Sequence, residues 1–233
     1  MTRRHGLRSR RDFLKGACAA AFVPQVVSAT ALGAGDRPAA SERIVTALIG
    51  SGGRGLQIIA GGDQVVAVCD VDAGHARSAK EKIDAASGNR DCAIYRDFRD
   101  VLARDDVDAV VVATPDHWHV LMAAAAVKAG KAVYVEKPLS LTIREGRILA
   151  DVVQRYNGIL QVGSQQRSDE KFIKACELVR NGRIGELKKV KVTIYARPGN
   201  DNPWRPQAVP PELDYDMWVG PAPFSPYHLS LIH

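Results

Sequence analysis

The feature that most constrains this chain is Gly50-Ser51-Gly52-Gly53-Arg54-Gly55, a G-x-G-x-x-G set directly after the apolar run Ile44–Ile49. A lone copy of that pattern is weak evidence. Here a strand-like run precedes it, a helical pattern follows, and Asp70 ends a second apolar run, Val65–Cys69, twenty residues later. Each glycine then has a physical task. Gly50 makes the tight turn, Gly52 lets the backbone approach a pyrophosphate, and Gly55 lets helix and strand pack closely. Ser51, Gly53 and Arg54 complete the turn, and the helix N-terminus offers N–H groups and a positive dipole end to phosphate. Asp70 can accept hydrogen bonds from both hydroxyls of an adenosine ribose. Asp70 and Asp72 repel a 2′-phosphate, so NAD is favoured over NADP, although Arg54 is a cation that could help hold such a phosphate. The competing reading is a glycine-rich turn in an unrelated α/β protein, which the full context disfavours.

The rest of the middle of the chain agrees with a dinucleotide fold. Further apolar runs occur at Ala109–Ala113, Ala132–Val135 and Ile159–Val162, with a minor strand at Ala93–Tyr95. Their near-continuous hydrophobicity predicts parallel strands covered on both faces. Helical patterns lie between them. Leu121, Met122 and Ala125 line one that ends at Lys128-Ala129-Gly130. Thr142 with Glu145 predicts a capping box for another, which stops at Asn157-Gly158. Alternating strands and helices predict a doubly wound α/β (Rossmann) domain over residues 42–163.

The net charge of +6 does not point to nucleic acid once it is placed along the chain. Residues 1–31 hold six bases against Asp12, a net +5, and the remainder is close to neutral. Ser9-Arg10-Arg11-Asp12-Phe13-Leu14-Lys15 resembles the twin-arginine export motif; a mildly apolar stretch and an Ala29-x-Ala31 site follow. Residues 1–40 therefore read as a signal and tether, with the export machinery as a partner and a periplasmic or otherwise exported location. No stable membrane anchor and no nucleic-acid partner are expected. Cys69 and Cys176 read as small buried hydrophobes rather than bridge partners.

Two more segments sit at the carboxyl ends of predicted strands, where α/β folds bind ligands. They are Thr114-Pro115-Asp116-His117-Trp118-His119 and Glu136-Lys137-Pro138. The order of G-x-G-x-x-G, Asp70 and these two segments resembles the Gfo/Idh/MocA family, glucose–fructose oxidoreductase, inositol dehydrogenase and their relatives, from about Ile44 to Gly220. The resemblance implies a nicotinamide-dependent oxidoreductase that moves hydride to or from a sugar or polyol-like alcohol. Lys137 would handle the substrate hydroxyl proton and orient the sugar, as a lysine tuned by its surroundings can. Glu136 would lie beside the nicotinamide ribose, with Pro138 fixing the backbone there, for which a cis bond is one route. Thr114, Pro115, Asp116 and His119 would form the loop under the nicotinamide half of the cofactor; many relatives carry Asn at the Asp116 position. Gln165 would contact the cofactor edge and Arg167 the substrate. No distant Cys or acidic set completes a metal site with His117 and His119. Trp118 fits a packed helix start better than a sugar platform.

Residues 164–233 read as a linker helix, opening at Ser168-Asp169-Glu170 and stopping at Asn181-Gly182, and the start of an α+β antiparallel-sheet domain. Val190, Val192, Ile194 and Ala196 alternate with polar residues, which predicts a half-buried strand. The Pro- and Trp-rich stretch from Pro203 to Pro221 predicts a wrapped loop. Family members continue well past this length, so the chain reads as an N-terminal fragment, with a homo-oligomer possible for a longer form. Two further functions stay open from sequence: a glycosidase using NAD transiently, whose N-terminal half would look the same, and a dinucleotide-binding piece without catalysis.

Overall fold

The chain divides after Arg43, and the sheet, its helices and the site all belong to the unit Ile44–His233. A computed structural model describes residues 39, 42–59, 64–88, 90–193 and 205–229. The twin-arginine segment, the Ala29 and Ala31 site, Ile194 and Ala196 of the predicted strand, and Pro203-Trp204 lie outside the described residues.

Six strands form one parallel sheet: β1 (Val45–Ile49), β2 (Gln64–Cys69), β3 (Ala93–Tyr95), β4 (Ala109–Val112), β5 (Ala132–Glu136) and β6 (Leu160–Gly163). Their order is β3-β2-β1-β4-β5-β6, and every pairing is parallel. The chain runs outward from β1 in one direction through β2 and β3, then returns to β4 and runs the other way. The switch point, where ligands bind in open α/β sheets, therefore lies between β1 and β4.

Alternation along each strand explains why the apolar runs are unbroken. Ala47 and Ile49 of β1, Ala67 and Cys69 of β2, and Val110 and Val112 of β4 all enter one core. Leu48, Val68 and Val111, the residues between them, enter the core on the opposite face. A strand buried on both sides leaves little room for a polar side chain; the exception in β1, Thr46, has a hydroxyl that donates to the Gln64 carbonyl. The first core is closed by α3 (Phe98–Leu102), α4 (Asp116–Lys128) and α5 (Ile143–Arg155), through residues such as Phe98, Met122 and Leu149. The second is closed by α1 (Gly53–Ile59) and α2 (Ala73–Ser87), through Ile59, Ala79 and Ile83.

Helix ends follow local chemistry. The Thr142 hydroxyl accepts from the Glu145 N–H while the Glu145 carboxylate accepts from the Thr142 N–H, completing the capping box. Asp72 caps α2 by accepting from the N–H groups of Gly74 and His75. Asn157, at φ 48°, follows the end of α5.

Beyond β6 lie a short 3-10 turn (Gln165–Ser168) and α6 (Glu170–Arg180), whose residues are all exposed. This corrects two expectations. Cys176 is exposed rather than buried, because nothing among the described residues covers α6. Residues 190–193 are not in a strand, and Val190 and Val192 are exposed, because a strand needs a partner for its backbone groups and none of the described residues supplies one. A third small core forms later, where Leu213, Tyr215, Val219 and Tyr227 pack with Val71 of the sheet domain. Its one regular element is α7 (Tyr215–Val219).

The cysteines give a direct check on this packing. Burial, with the carboxylates of Asp70, Asp97 and Asp100 adding to it, pushes the Cys69 thiol well above its ordinary range. Burial first, then Asp84, pushes Cys92 up to about 11. Thiolates, not thiols, react. Brief treatment of the folded protein with N-ethylmaleimide near pH 8 should label Cys176 and leave Cys69 and Cys92 unlabelled, read by peptide mass spectrometry.

Candidate cofactor site

The site begins with a backbone approach that only glycine permits. Gly50 leaves β1 at φ 85° and stacks on the chain leaving β4; a Cβ there would stand 2.6 Å from the Ala113 carbonyl atoms. A Cβ on Gly55 would stand 2.2 Å from the Gly50 carbonyl oxygen, so the first turn of α1 presses on the glycine-rich turn itself. Gly52 differs: a Cβ there would meet nothing within 4 Å. Its freedom serves no packing need of the protein, and its bare backbone faces open space.

Asp70 anchors this turn to β2. One carboxylate oxygen accepts from the Ser51 N–H at 2.8 Å and the Ser51 hydroxyl at 3.0 Å. The other accepts from the Asp72 N–H at 2.9 Å. The carboxylate is thus oriented before any ligand arrives, with acceptor capacity left over. Beside it lies a cavity of about 260 Å³. Gly50, Gly52, Asp70 and Asp72 form its polar edge; Ile49, Phe98, Trp118 and Met122 form its apolar floor; Thr114 and Pro115 border it at the β4 end. The Thr114 hydroxyl is buried, and no described residue hydrogen-bonds to it. A buried hydroxyl without a partner is costly, so it stands ready for a ligand atom. An open-faced glycine, a pre-oriented carboxylate and an orphaned hydroxyl around an apolar slot fit a dinucleotide.

The structure also shows how the second segment is held. Glu136 is buried at the end of β5. One of its oxygens accepts from Arg54 Nη2 at 2.7 Å and Nε at 3.1 Å, and the other from the Lys137 N–H at 3.0 Å. Gly163 makes room for this carboxylate, since a Cβ there would lie 2.7 Å from Glu136 Oε1. Burial, and then the Glu136 charge, holds the nearby Tyr134 hydroxyl above its ordinary range. His119 is buried behind the loop, its Nε2 2.8 Å from the Thr114 carbonyl and its Nδ1 2.6 Å from the Pro138 carbonyl. It spans the two loops and does not line the cavity. The Lys137–Pro138 peptide is cis.

The expected site residues therefore separate. Gly50, Gly52, Asp70, Thr114 and Pro115 line one cavity, and Ser51, Gly55 and Gly53 build its turn. Arg54 does not stand beside Asp70, where it could meet a 2′-phosphate; it crosses to Glu136, because a buried carboxylate needs a paired charge. Lys137 is exposed at the end of β5, and no described residue pairs with its ammonium. Asp116 is exposed at the start of α4. Gln165 and Arg167 lie exposed in the 3-10 turn, outside the cavity. Trp118 packs edge-on against Phe98 as part of the floor. No group of three or more His, Cys, Asp or Glu among the described residues could hold a metal ion. Missed from sequence were Phe98, which no motif singles out, Met122, which reads only as a helix-lining position, and Leu213, Met217 and Trp218, which also line the cavity.

Comparison with known proteins agrees with this geometry. A family model for Gfo/Idh/MocA proteins, described as "Oxidoreductase family, NAD-binding Rossmann fold", matches residues 44–164. A second, "Oxidoreductase family, C-terminal alpha/beta domain", matches residues 175–233. Inositol 2-dehydrogenase 1 of Saccharopolyspora erythraea is 37% identical over 126 residues, 54% of this chain and 36% of that protein. Glycosyl hydrolase family 109 protein 2 of a Shewanella species is 31% identical over 202 residues, 76% of this chain and 44% of the relative. The chain thus spans well under half the length of these curated relatives. Among solved structures, scyllo-inositol dehydrogenase from Lactobacillus casei with bound NAD(H) and scyllo-inositol superposes with a TM-score of 0.55. It is 26% identical, over 62% of this chain and 43% of that one.

Two glycine substitutions should separate packing from binding. Gly52→Ala should keep the wild-type thermal midpoint but weaken NAD binding by about tenfold or more, by blocking the backbone approach. Gly55→Ala should lower stability by about 1–3 kcal/mol, as overpacking does. Thermal unfolding and calorimetric titration with NAD would read both.

Proposed function

The chain belongs to the Gfo/Idh/MocA oxidoreductase family, and from that premise we propose that it is the cofactor-binding and proton-handling part of an exported oxidoreductase acting on a sugar or polyol alcohol. The observation that carries the reading is the link between two sites at the carboxyl end of the sheet. The NAD cradle at the ends of β1, β2 and β4 is tied to Lys137 at the end of β5 through Arg54 and Glu136.

When bound, NAD supplies a two-electron acceptor for the hydride leaving a secondary alcohol carbon. The chain must then deal with the hydroxyl proton. Lys137 takes it on its ε-amine during oxidation and returns it during reduction. Glu136 fixes the Lys137 backbone N–H, next to the Cα that carries the side chain, so the lysine stem starts from a rigid point. Asp70 presents carboxylate oxygens to the ribose diol, and the Thr114 hydroxyl meets a ligand atom at the switch point. The polyol class is supported by the inositol dehydrogenases among the relatives. Passage by the twin-arginine route rests on Ser9–Lys15.

One observation favours a second reading, a glycosidase in which the redox step is transient. The likeness to the glycosyl hydrolase family 109 protein extends over 76% of this chain, further than that to inositol 2-dehydrogenase 1. Net NADH release with a polyol selects the first reading, and sugar release without net NADH selects the second.

Lys137→Ala should cut turnover by about 10²–10⁴-fold, the range of general acid–base catalysis, while NAD binding stays at the wild-type level. Retained turnover would sink the assignment of the proton to Lys137. Replacing Arg10 and Arg11 together by Lys should hold a reporter fusion in the cytoplasm, read by cell fractionation.

A further inference from the structure

The cavity beside Asp70 has an outer wall that comes from far along the chain. Leu213, Met217 and Trp218 line it opposite the floor made by Phe98, Trp118 and Met122. Two sets of contacts pin this wall, one through the backbone and one through side chains. Leu213 pairs with Asp72 in an isolated antiparallel bridge. That bridge is made by two hydrogen bonds, from the Ala73 N–H to the Glu212 carbonyl at 3.0 Å and from the Asp214 N–H to the Val71 carbonyl at 2.9 Å. The Trp118 indole N–H donates to the Trp218 carbonyl at 3.1 Å, and His117 Nε2 lies 2.8 Å from the same oxygen. Gly220 completes the seal: a Cβ there would stand 2.1 Å from the Trp118 ring.

Charge at this wall is arranged against one kind of ligand. Among the described residues, Arg96 is the only arginine or lysine lining the cavity. A guanidinium beside the ribose carboxylate is the group that elsewhere accommodates a 2′-phosphate. Here the wall claims it, since Arg96 Nε lies 3.0 Å from Asp214 Oδ2. On the outer side Glu212 takes Arg77 in the same way, at 2.7 Å. Glu212–Arg77 is solvent-exposed and Arg96–Asp214 is partly so, and such pairs add little to stability. Their effect is on the local potential, because among the described residues they leave Asp70 and Asp72 without an ion-paired cation at the ribose edge.

We propose that residues 212–218 form the outer wall of the adenosine subsite, and that Asp214, by holding Arg96, makes this subsite select an adenosine with a free 2′-hydroxyl. The inference rests on the cofactor reading above and adds to it the residues that close and discriminate. Asp214 is a specificity-determining residue that acts through Arg96; Met217 and Trp218 are contact residues for the adenosine.

The test uses the full chain, with AMP and adenosine 2′,5′-bisphosphate as probes in calorimetric titration. Asp214→Asn keeps the cap of α7, because the Met217 N–H can still donate to the amide oxygen. It should shift the preference about tenfold toward the bisphosphate, and adding Arg96→Gln should return the preference to the wild-type value. Met217→Ala should weaken both probes together. An unchanged preference in Asp214→Asn, or unchanged AMP affinity in Met217→Ala, overturns the inference in a protein that still binds NAD. A wild-type chain that binds neither NAD nor AMP overturns the cofactor reading itself, and this inference with it.

Discussion

The site depends on how closely two backbone turns approach each other at the switch point of the sheet. The chain leaving β1 at Gly50 lies against the chain leaving β4 at Ala113 and Thr114, with no room between them for a single methyl group. That contact sets the separation of the two halves of the sheet at the end where ligands bind. It also fixes where α1 begins, since Gly55 presses on the Gly50 carbonyl. The cradle is made of backbone, and its shape survives changes in surrounding side chains better than a cluster of long polar groups would.

Around this contact the structure places two braces. Asp70 ties the glycine-rich turn to β2 through the Ser51 N–H and hydroxyl. Glu136 ties α1 to the end of β5 through Arg54, and it also fixes the Lys137 N–H. A buried carboxylate is expensive unless it is fully engaged. Both oxygens of Glu136 are, and Gly163 is small enough to let it stay. His119 adds a strut between the carbonyls of Thr114 and Pro138. The cofactor cradle and the proposed proton carrier are thereby parts of one connected frame.

Local features of the sequence were legible because their causes are local. The strands of the sheet showed as apolar runs, since burial on both faces leaves no polar position in Ala109–Val112 and only Thr46 in Val45–Ile49. The capping box at Thr142 and Glu145, and the stops at Asn157 and Gly182, are decided within a few residues. Where a distant partner decides, the pattern misled. Val190 and Val192 alternate as a strand should, yet they lie exposed in irregular chain. Cys176 follows a helical pattern whose apolar side has no cover among the described residues.

The sequence by itself determined the class of fold and the family. Glycines at Gly50, Gly52 and Gly55, an acid at Asp70, and the segments around Thr114 and Lys137 can be read one turn at a time. Only the tertiary structure decided what each polar group does. It paired Arg54 with Glu136, set His119 between the carbonyls of Thr114 and Pro138, outside the cavity lining, and brought Met217 and Trp218 onto a pocket floored by Phe98 and Met122. The reason is physical: a backbone conformation is chosen by neighbours in the chain, whereas the partner of a charge or an aromatic ring is chosen by proximity in space. No spacing rule links Trp118 to Trp218, one hundred residues later.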